Sequence, residues 1–212
     1  LFLPIIEQHS LIIELGEWVI KSALRQLNIW SELGINLPIS VNISPLQIQQ
    51  ANFVDRLELI FQQYPNFKPG MIEFEILETS ALHELTKVRE IIEKCHKLGI
   101  IFSIDDFGTG YSSLIYLKTL PTKHLKIDRT FVRDMLVDPE DRAIVQGIIQ
   151  LAHTFERQVI AEGVETIAHG EKLLSLGCQL AQGFGIAKPM PVNEFPGWLN
   201  QWQHQNVWQT LN

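Results

Sequence analysis

Short runs with strand character alternate with stretches of helical periodicity along almost the entire chain, and that alternation leaves few folds open. Strands are expected at Ile39–Ser44, Met71–Glu78, Ile100–Asp106, His124–Asp128, Gln158–Glu162 and Gln179–Gln182. Helices are expected over Leu11–Trp30 (Leu15, Trp18, Val19, Leu24, Leu27) and from Leu82 to Gly99 (Leu85, Val88, Ile91, Ile92, Cys95). Further helices are expected at Leu114–Leu117, from Pro139 to Phe155, and from the fifth strand to Leu176. Pro45 suits the first turn of a helix, and Gly34, Gly99 and Gly177 stand where helices should stop. A last helix carries Phe195, Trp198, Leu199 and Trp202, a stripe read as packing on the body of the protein. Residues 192–212 are taken as the C-terminal helix and tail of a single domain spanning 1–212. Strands separated by helices imply parallel βαβ units.

Parallel units fit an open doubly wound sheet or a (β/α)₈ barrel. A doubly wound dinucleotide site needs a glycine-rich turn after its first strand, and Asn42-Ile43-Ser44-Pro45 has none. Instead a polar or charged group stands at the C-terminal end of each strand: Asn42, Glu75 and Glu78, Asp105 and Asp106, Lys126 and Asp128, Glu162, and Gln182. Barrels gather active-site groups in that way, each strand contributing one piece to a common face. The expected fold is therefore a modified (β/α)₈ barrel truncated at its N-terminal side, with six of its strands in this chain.

Charge narrows the partners. Seventeen Lys and Arg against 24 Asp and Glu give a net charge of −7, which argues against a DNA or RNA polymer as ligand. An anionic substrate would need metal ions or a local cluster of positive groups. No apolar run approaches the ~18 residues that span a bilayer. The two cysteines, Cys95 and Cys178, indicate neither a disulfide scaffold nor a zinc site, and point to a reducing cytoplasm. The chain opens Leu1-Phe2-Leu3-Pro4 without Met or a signal-peptide pattern, so it is expected to be a segment of a longer protein, whose parent could be membrane-anchored.

Taken together, the strand ends offer four carboxylates (Glu75, Asp105, Asp106, Glu162), one amide oxygen (Asn42) and one ammonium (Lys126). Hard oxygen donors suit Mg²⁺ or Mn²⁺, where zinc would want His or Cys. Adjacent strand residues point to opposite sides, so Asp105 and Asp106 can both reach metal only where the strand is ending. A carboxylate bridging two ions about 3.5–4 Å apart is a recurrent device for phosphodiester hydrolysis. The competing reading, solvated strand ends and ion pairs, holds for any one residue and weakens as the number of converging residues grows. The seven histidines share no ligand spacing and are read as surface or structural.

Asp105-Asp106-Phe107-Gly108-Thr109-Gly110-Tyr111-Ser112-Ser113, with Glu75-Ile76-Leu77-Glu78, Val41-Asn42-Ile43-Ser44, Leu125-Lys126-Ile127-Asp128, Ala161-Glu162-Gly163-Val164-Glu165 and Gln182-Gly183-Phe184, closely resembles the EAL domain family. These are metal-dependent phosphodiesterases of the bacterial second messenger cyclic di-GMP, built on a modified (β/α)₈ barrel. The resemblance runs from Phe2-Leu3-Pro4 to Pro191 in the family's order.

The resemblance implies Asn42, Glu75 and Asp105 as ligands of one Mg²⁺ or Mn²⁺, with Asp105 shared by a second ion that Asp106 also holds. It implies Glu162 as a second-metal group and general base, and Lys126 as the residue that positions the attacking water. Gln182 belongs to the same catalytic face. Glu78 anchors the loop Asp106–Ser113 (Phe107, Gly108, Thr109, Gly110, Tyr111, Ser112 and Ser113 after Asp106), which in the family couples the metal site to a homodimer interface. Asp128 and Glu165 are read as support behind the ligands or as helix entry, and Gln47 as a family glutamine or a helix-surface residue. Lys188-Pro189-Met190-Pro191 resembles the closing turn between the last strand and the last helix.

One departure stands out. The Glu-Ala-Leu motif that names the family, with a metal-ligating glutamate and a following arginine, is absent, and neither Glu7 nor Glu14 falls in its register. The first two barrel strands would go with it, leaving exposed sheet edges. The expected function is hydrolysis of cyclic di-GMP to linear pGpG, impaired in this chain, with an upstream sensory or diguanylate cyclase-like domain in the parent. The alternative is a non-catalytic module that binds cyclic di-GMP or mediates dimerisation.

Overall fold

Apolar and polar residues alternate along strands in the first half of this protein and give them two unlike faces. The computed structural model describes residues 3–78, 85–110 and 114–205. Its strands are β1 (Ile39–Asn42), β2 (Ile72–Leu77), β3 (Ile101–Phe107), β4 (His124–Ile127), β5 (Gln158–Ala161) and β6 (Leu180–Ala181). The helices are α1 (Leu3–Ile6), α2 (Leu11–Glu32), α3 (Pro45–Ile48), α4 (Phe53–Phe61), α5 (Leu85–Lys97), α6 (Leu114–Thr119), α7 (Arg129–Asp134), α8 (Pro139–Thr154), α9 (Ile167–Ser175) and α10 (Phe195–Gln205). No described helix is long and apolar enough to cross a membrane.

The chain divides into two units, one of Leu1–Lys126 with Ala152–Gln158, the other of Ile127–Leu151 with Val159–Asn212. In the first, β1, β2 and β3 pair in parallel, with Asn42 in register with Glu75, Glu75 with Ser103, and Leu77 with Asp105. The β4 strand follows β3, tied where the Lys123 N–H donates to the Phe102 carbonyl (2.8 Å). Alternation along each strand sends Ile72, Phe74 and Ile76 of β2 and Phe102 and Ile104 of β3 to one face, all within 2% of full burial. There Phe74 meets Phe102 edge-on (centroids 5.5 Å) and Phe53 of α4 (6.4 Å). The other face carries Glu73, Glu75, Ser103, Asp105, His124 and Lys126, every one buried. A parallel strand covered on both sides is usually apolar throughout. A buried polar face is therefore the informative anomaly.

In the second unit, β5 and β6 pair in parallel, Ile160 opposite Leu180 and Ala161 opposite Ala181. Gly183 is required by close approach: a Cβ there would lie 2.2–2.3 Å from the Val164 backbone. Buried His169 joins Thr166 Oγ1 (2.7 Å) and the Arg133 carbonyl (3.1 Å), a structural use of an imidazole.

Several boundaries differ from expectation, for local reasons. The first strand stops at Asn42 because Ser44 turns to cap α3, its Oγ accepting from Gln47 N–H (3.2 Å), with Pro45 at the first position. The fourth stops at Ile127 because Asp128 caps α7. The third continues to Phe107 and does not end at Asp106. The last strand has two residues, and α10 starts four residues after Pro191, so Pro189 and Pro191 stand in irregular chain. The sequence reading missed α4 and α7, and Leu82 lies outside the described residues.

Candidate metal and phosphodiester site

The polar face of the first unit converges at the C-terminal ends of its strands. Lys126 is 3% exposed, and its Nζ lies 2.9 Å from Glu75 Oε1 and 3.1 Å from Asp105 Oδ1. Glu75 is held by β2, Asp105 by β3 and Lys126 by β4, three strands reaching one point. Ser103, in register with Glu75, is small enough for Glu75 and Lys126 to meet over β3. On the other side of β2, Asn42 stands in register with Glu75 and is exposed. Burial pushes the Glu75 carboxyl above its ordinary range, while Lys126 and a hydrogen bond from Ser40 pull it down and Asp105 adds to the rise. A buried carboxylate whose charged form is disfavoured this way gains from a cation placed beside it.

Asp106 resolves how two adjacent aspartates can serve one place. Its φ is +53°, in the left-handed region, although the strand runs on through Phe107. Strict alternation is broken at that residue, and its N–H donates back to Asp105 Oδ1 (3.1 Å). Asp is among the few residues that enter this region at modest cost. After it, Gly108 takes φ +102°, closed to side-chain-bearing residues, and its N–H donates to Glu78 Oε2 (3.1 Å). Glu78 is buried, and Gly110 passes close enough that a Cβ would lie 3.3 Å from Glu78 Oε1. Phe107 is buried and Thr109 Oγ1 donates to the Asp106 carbonyl (2.9 Å); Tyr111, Ser112 and Ser113 lie outside the described residues.

The remaining candidates belong to the second unit. Glu162 follows β5, half-buried, its N–H donating to the Ile127 carbonyl (3.2 Å). Gln182 follows β6, exposed, its N–H donating to Ala161 O (2.8 Å) and its carbonyl accepting from Val164 N–H (3.0 Å). Buried Asp128 accepts from the N–H of Thr130 (2.8 Å) and from its hydroxyl, the geometry of helix entry, and Glu165 is exposed.

Two residues for which the sequence left alternatives open are decided by packing. Gln47 is buried against Gly16 of α2 and is not a helix-surface residue, and neither its amide N nor its O has a hydrogen-bond partner among the described residues. His124 is part of the buried polar face, with Nδ1 2.7 Å from Glu73 Oε1 and Nε2 3.0 Å from Gln158 Oε1. The period of two in His124-Leu125-Lys126 was the available signal for it.

As a donor set, Asn42, Glu75, Asp105 and Asp106 offer oxygen only, with three carboxylates against the one ammonium of Lys126. The set fits a hard divalent cation of the Mg²⁺ or Mn²⁺ kind and does not fit zinc. Parallel β/α units with acidic oxygen donors at the strand C-termini are the arrangement in which (β/α) barrels place their active-site groups.

Comparison with known proteins names the family. The family model described as EAL domain matches residues 1–189, and the chain belongs to that family. It is 41% identical over 194 residues to the bifunctional diguanylate cyclase/cyclic di-GMP phosphodiesterase MucR of Pseudomonas aeruginosa, covering 91% of this chain and 28% of MucR. It is 36% identical over 201 residues to the cyclic di-GMP phosphodiesterase PdeR of Escherichia coli, covering 95% of this chain and 30% of PdeR. The solved PaMucR phosphodiesterase in complex with c-di-GMP matches with a TM-score of 0.86 at 41% identity, over 92% of this chain and 78% of that one. The EAL domain of Mycobacterium smegmatis DcpA matches with a TM-score of 0.83 at 37% identity, over 89% of this chain and 85% of that one. The fold class expected from the alternation is the one these domains share. The chain spans about a quarter to a third of the length of the curated relatives it matches.

Proposed function

We propose that this chain hydrolyses one phosphodiester bond of cyclic di-GMP to give linear pGpG. The observation that carries this reading is the buried Glu75–Lys126–Asp105 constellation, with Asn42 in register beside it and Asp106 turned out of the strand. Its support is the kinship with MucR and PdeR, both named as cyclic di-GMP phosphodiesterases.

Asn42, Glu75, Asp105 and Asp106 would hold the Mg²⁺ or Mn²⁺ ions, and the family resemblance assigns Glu162 to the second of them. When bound, such ions lower the pKa of water and neutralise charge on phosphate. Lys126, held between Glu75 and Asp105, orients the attacking water. In this reading Glu162 takes the proton released as the water oxygen bonds to phosphorus, and the ribose oxygen freed as the opposite P–O bond breaks takes up a proton from solvent. The family resemblance assigns Gln182 to the catalytic residues as well. Glu78 holds the Gly108 turn, which fixes where the loop leaves Asp106.

Glu165 and Asp128 support this face without touching the reaction. A homodimer contact beside the loop is part of the same reading, supported by Leu114 (59% exposed) and Ile115 (52% exposed) at the start of α6. An attached sensory or diguanylate cyclase-like domain and a cytoplasmic setting complete it, the former supported by the bifunctional MucR being far longer than the matched segment.

The test is incubation of the 212-residue chain with cyclic di-GMP and Mn²⁺ or Mg²⁺, with products separated by chromatography. Formation of pGpG that vanishes in Asp105→Ala is the expected result. Binding of cyclic di-GMP with no turnover under any divalent cation would favour a receptor instead.

A further inference from the structure

We propose that His124 is a positioning residue for the metal ligands, acting through Glu73, and this rests on the reading of Glu75 and Asp105 as metal donors. Strands β2 and β4 do not hydrogen-bond to each other, because β3 lies between them. Two strand spacings put their backbones about 9–10 Å apart. Only side chains reaching over β3 can set that separation directly.

Two such links stand among the described residues, one above the other. Glu73 and Glu75 share a face of β2, and His124 and Lys126 share a face of β4, because each pair is two residues apart. The upper link is Lys126 to Glu75 at 2.9 Å, and the lower is His124 Nδ1 to Glu73 Oε1 at 2.7 Å. A single link would leave β4 free to pivot against β2, whereas two links about 6–7 Å apart along the strands fix their angle as well as their distance. The imidazole is itself held from the far side. Its Nε2 lies 3.0 Å from Gln158 Oε1, and the Gln158 backbone N–H donates to the Lys123 carbonyl (3.1 Å). Both His124 and Glu73 are buried, so water cannot substitute for the link at low cost. His124 touches none of the proposed metal ligands. Its effect on them runs through strand geometry, and it is a property of this chain's own residue pair.

The test must separate positioning from stability. His124→Leu strands Glu73 without a partner, so it is paired with the double variant Glu73→Leu/His124→Leu, which removes both polar groups and often leaves stability unharmed. Mn²⁺ binding to the 212-residue chain is read by electron paramagnetic resonance of the free ion, at a temperature where near-ultraviolet circular dichroism reports a folded protein. Residues standing behind metal ligands typically cost about 10–100-fold in metal affinity when removed. The expected result is a loss of about tenfold or more in both variants, including a double variant that melts like the parent, with His124→Gln recovering most of the affinity. Affinity within about twofold of the parent in a folded double variant would overturn the positioning role and leave the metal site standing. Failure of the unaltered chain to bind Mn²⁺ would overturn the metal reading and this inference with it.

Discussion

Replacing Lys126 by Met is the most direct probe of the site. Methionine keeps most of the buried stem, so the loss isolates the ammonium and not the packing. That ammonium faces Glu75 and Asp105, whose side chains are 6% and 12% exposed. Removing one partner from a buried ion pair costs about 3–5 kcal/mol, because the partner left behind stays desolvated. Two carboxylates depend on Lys126 here, so the upper part of that range is expected. For a chain of this size each kcal/mol moves the melting point by about 2–4 °C, so about 4–5 kcal/mol gives a fall of about 8–20 °C in metal-free buffer. The assay is thermal unfolding followed by circular dichroism in EDTA. Mn²⁺ at a hundredfold excess over its dissociation constant should then return about 2.7 kcal/mol, since a divalent ion neutralises the same oxygens. A fall of less than about 2 °C would refute the premise that Lys126 holds two buried charges in place.

Asp106→Asn should fold with nearly unchanged stability, because asparagine tolerates φ +53°, yet lose Mn²⁺ affinity; Asp106→Val should lose about 1–3 kcal/mol in urea unfolding as well. Gly183→Ala drives a Cβ to within 2.2–2.3 Å of the Val164 backbone, so the second unit should repack at a cost of about 1–3 kcal/mol or more, read as a lower urea midpoint. Cys95 is fully buried and its thiol is pushed up to about 12, so iodoacetamide at pH 8 should leave it unlabelled by mass spectrometry until the chain is unfolded. The unfolded thiol ionises near its ordinary value of 9 while the folded one stays protonated, so the contribution of Cys95 to stability falls as the pH rises from 9 toward 12.

What was legible in the sequence follows from locality. Alternation with a period of two is a property of a few consecutive residues, so the strands and their polar C-terminal ends could be read before any contact was known. Ser44-Pro45 announces a helix start by the same local chemistry, since an oxygen side chain satisfies the first free N–H groups. Membership of the EAL family rests on motifs of this kind in fixed order.

Tertiary structure decided the rest. The backbone turn at Asp106 is not dictated by residue type, because Asp also takes ordinary strand geometry, and only the fold holds it left-handed. Gln47 reads as a family glutamine or as a helix-surface residue, and packing against Gly16 buries it. His124 and Glu73 are 51 residues apart, and their meeting depends on register and on the strand between them. Asp106 apart, the sequence by itself determined which residues share a face of each strand, since that is fixed by the pleat. Which faces then meet, and which charges are buried together, was settled by strand order and by the length of side chains that reach across a neighbour.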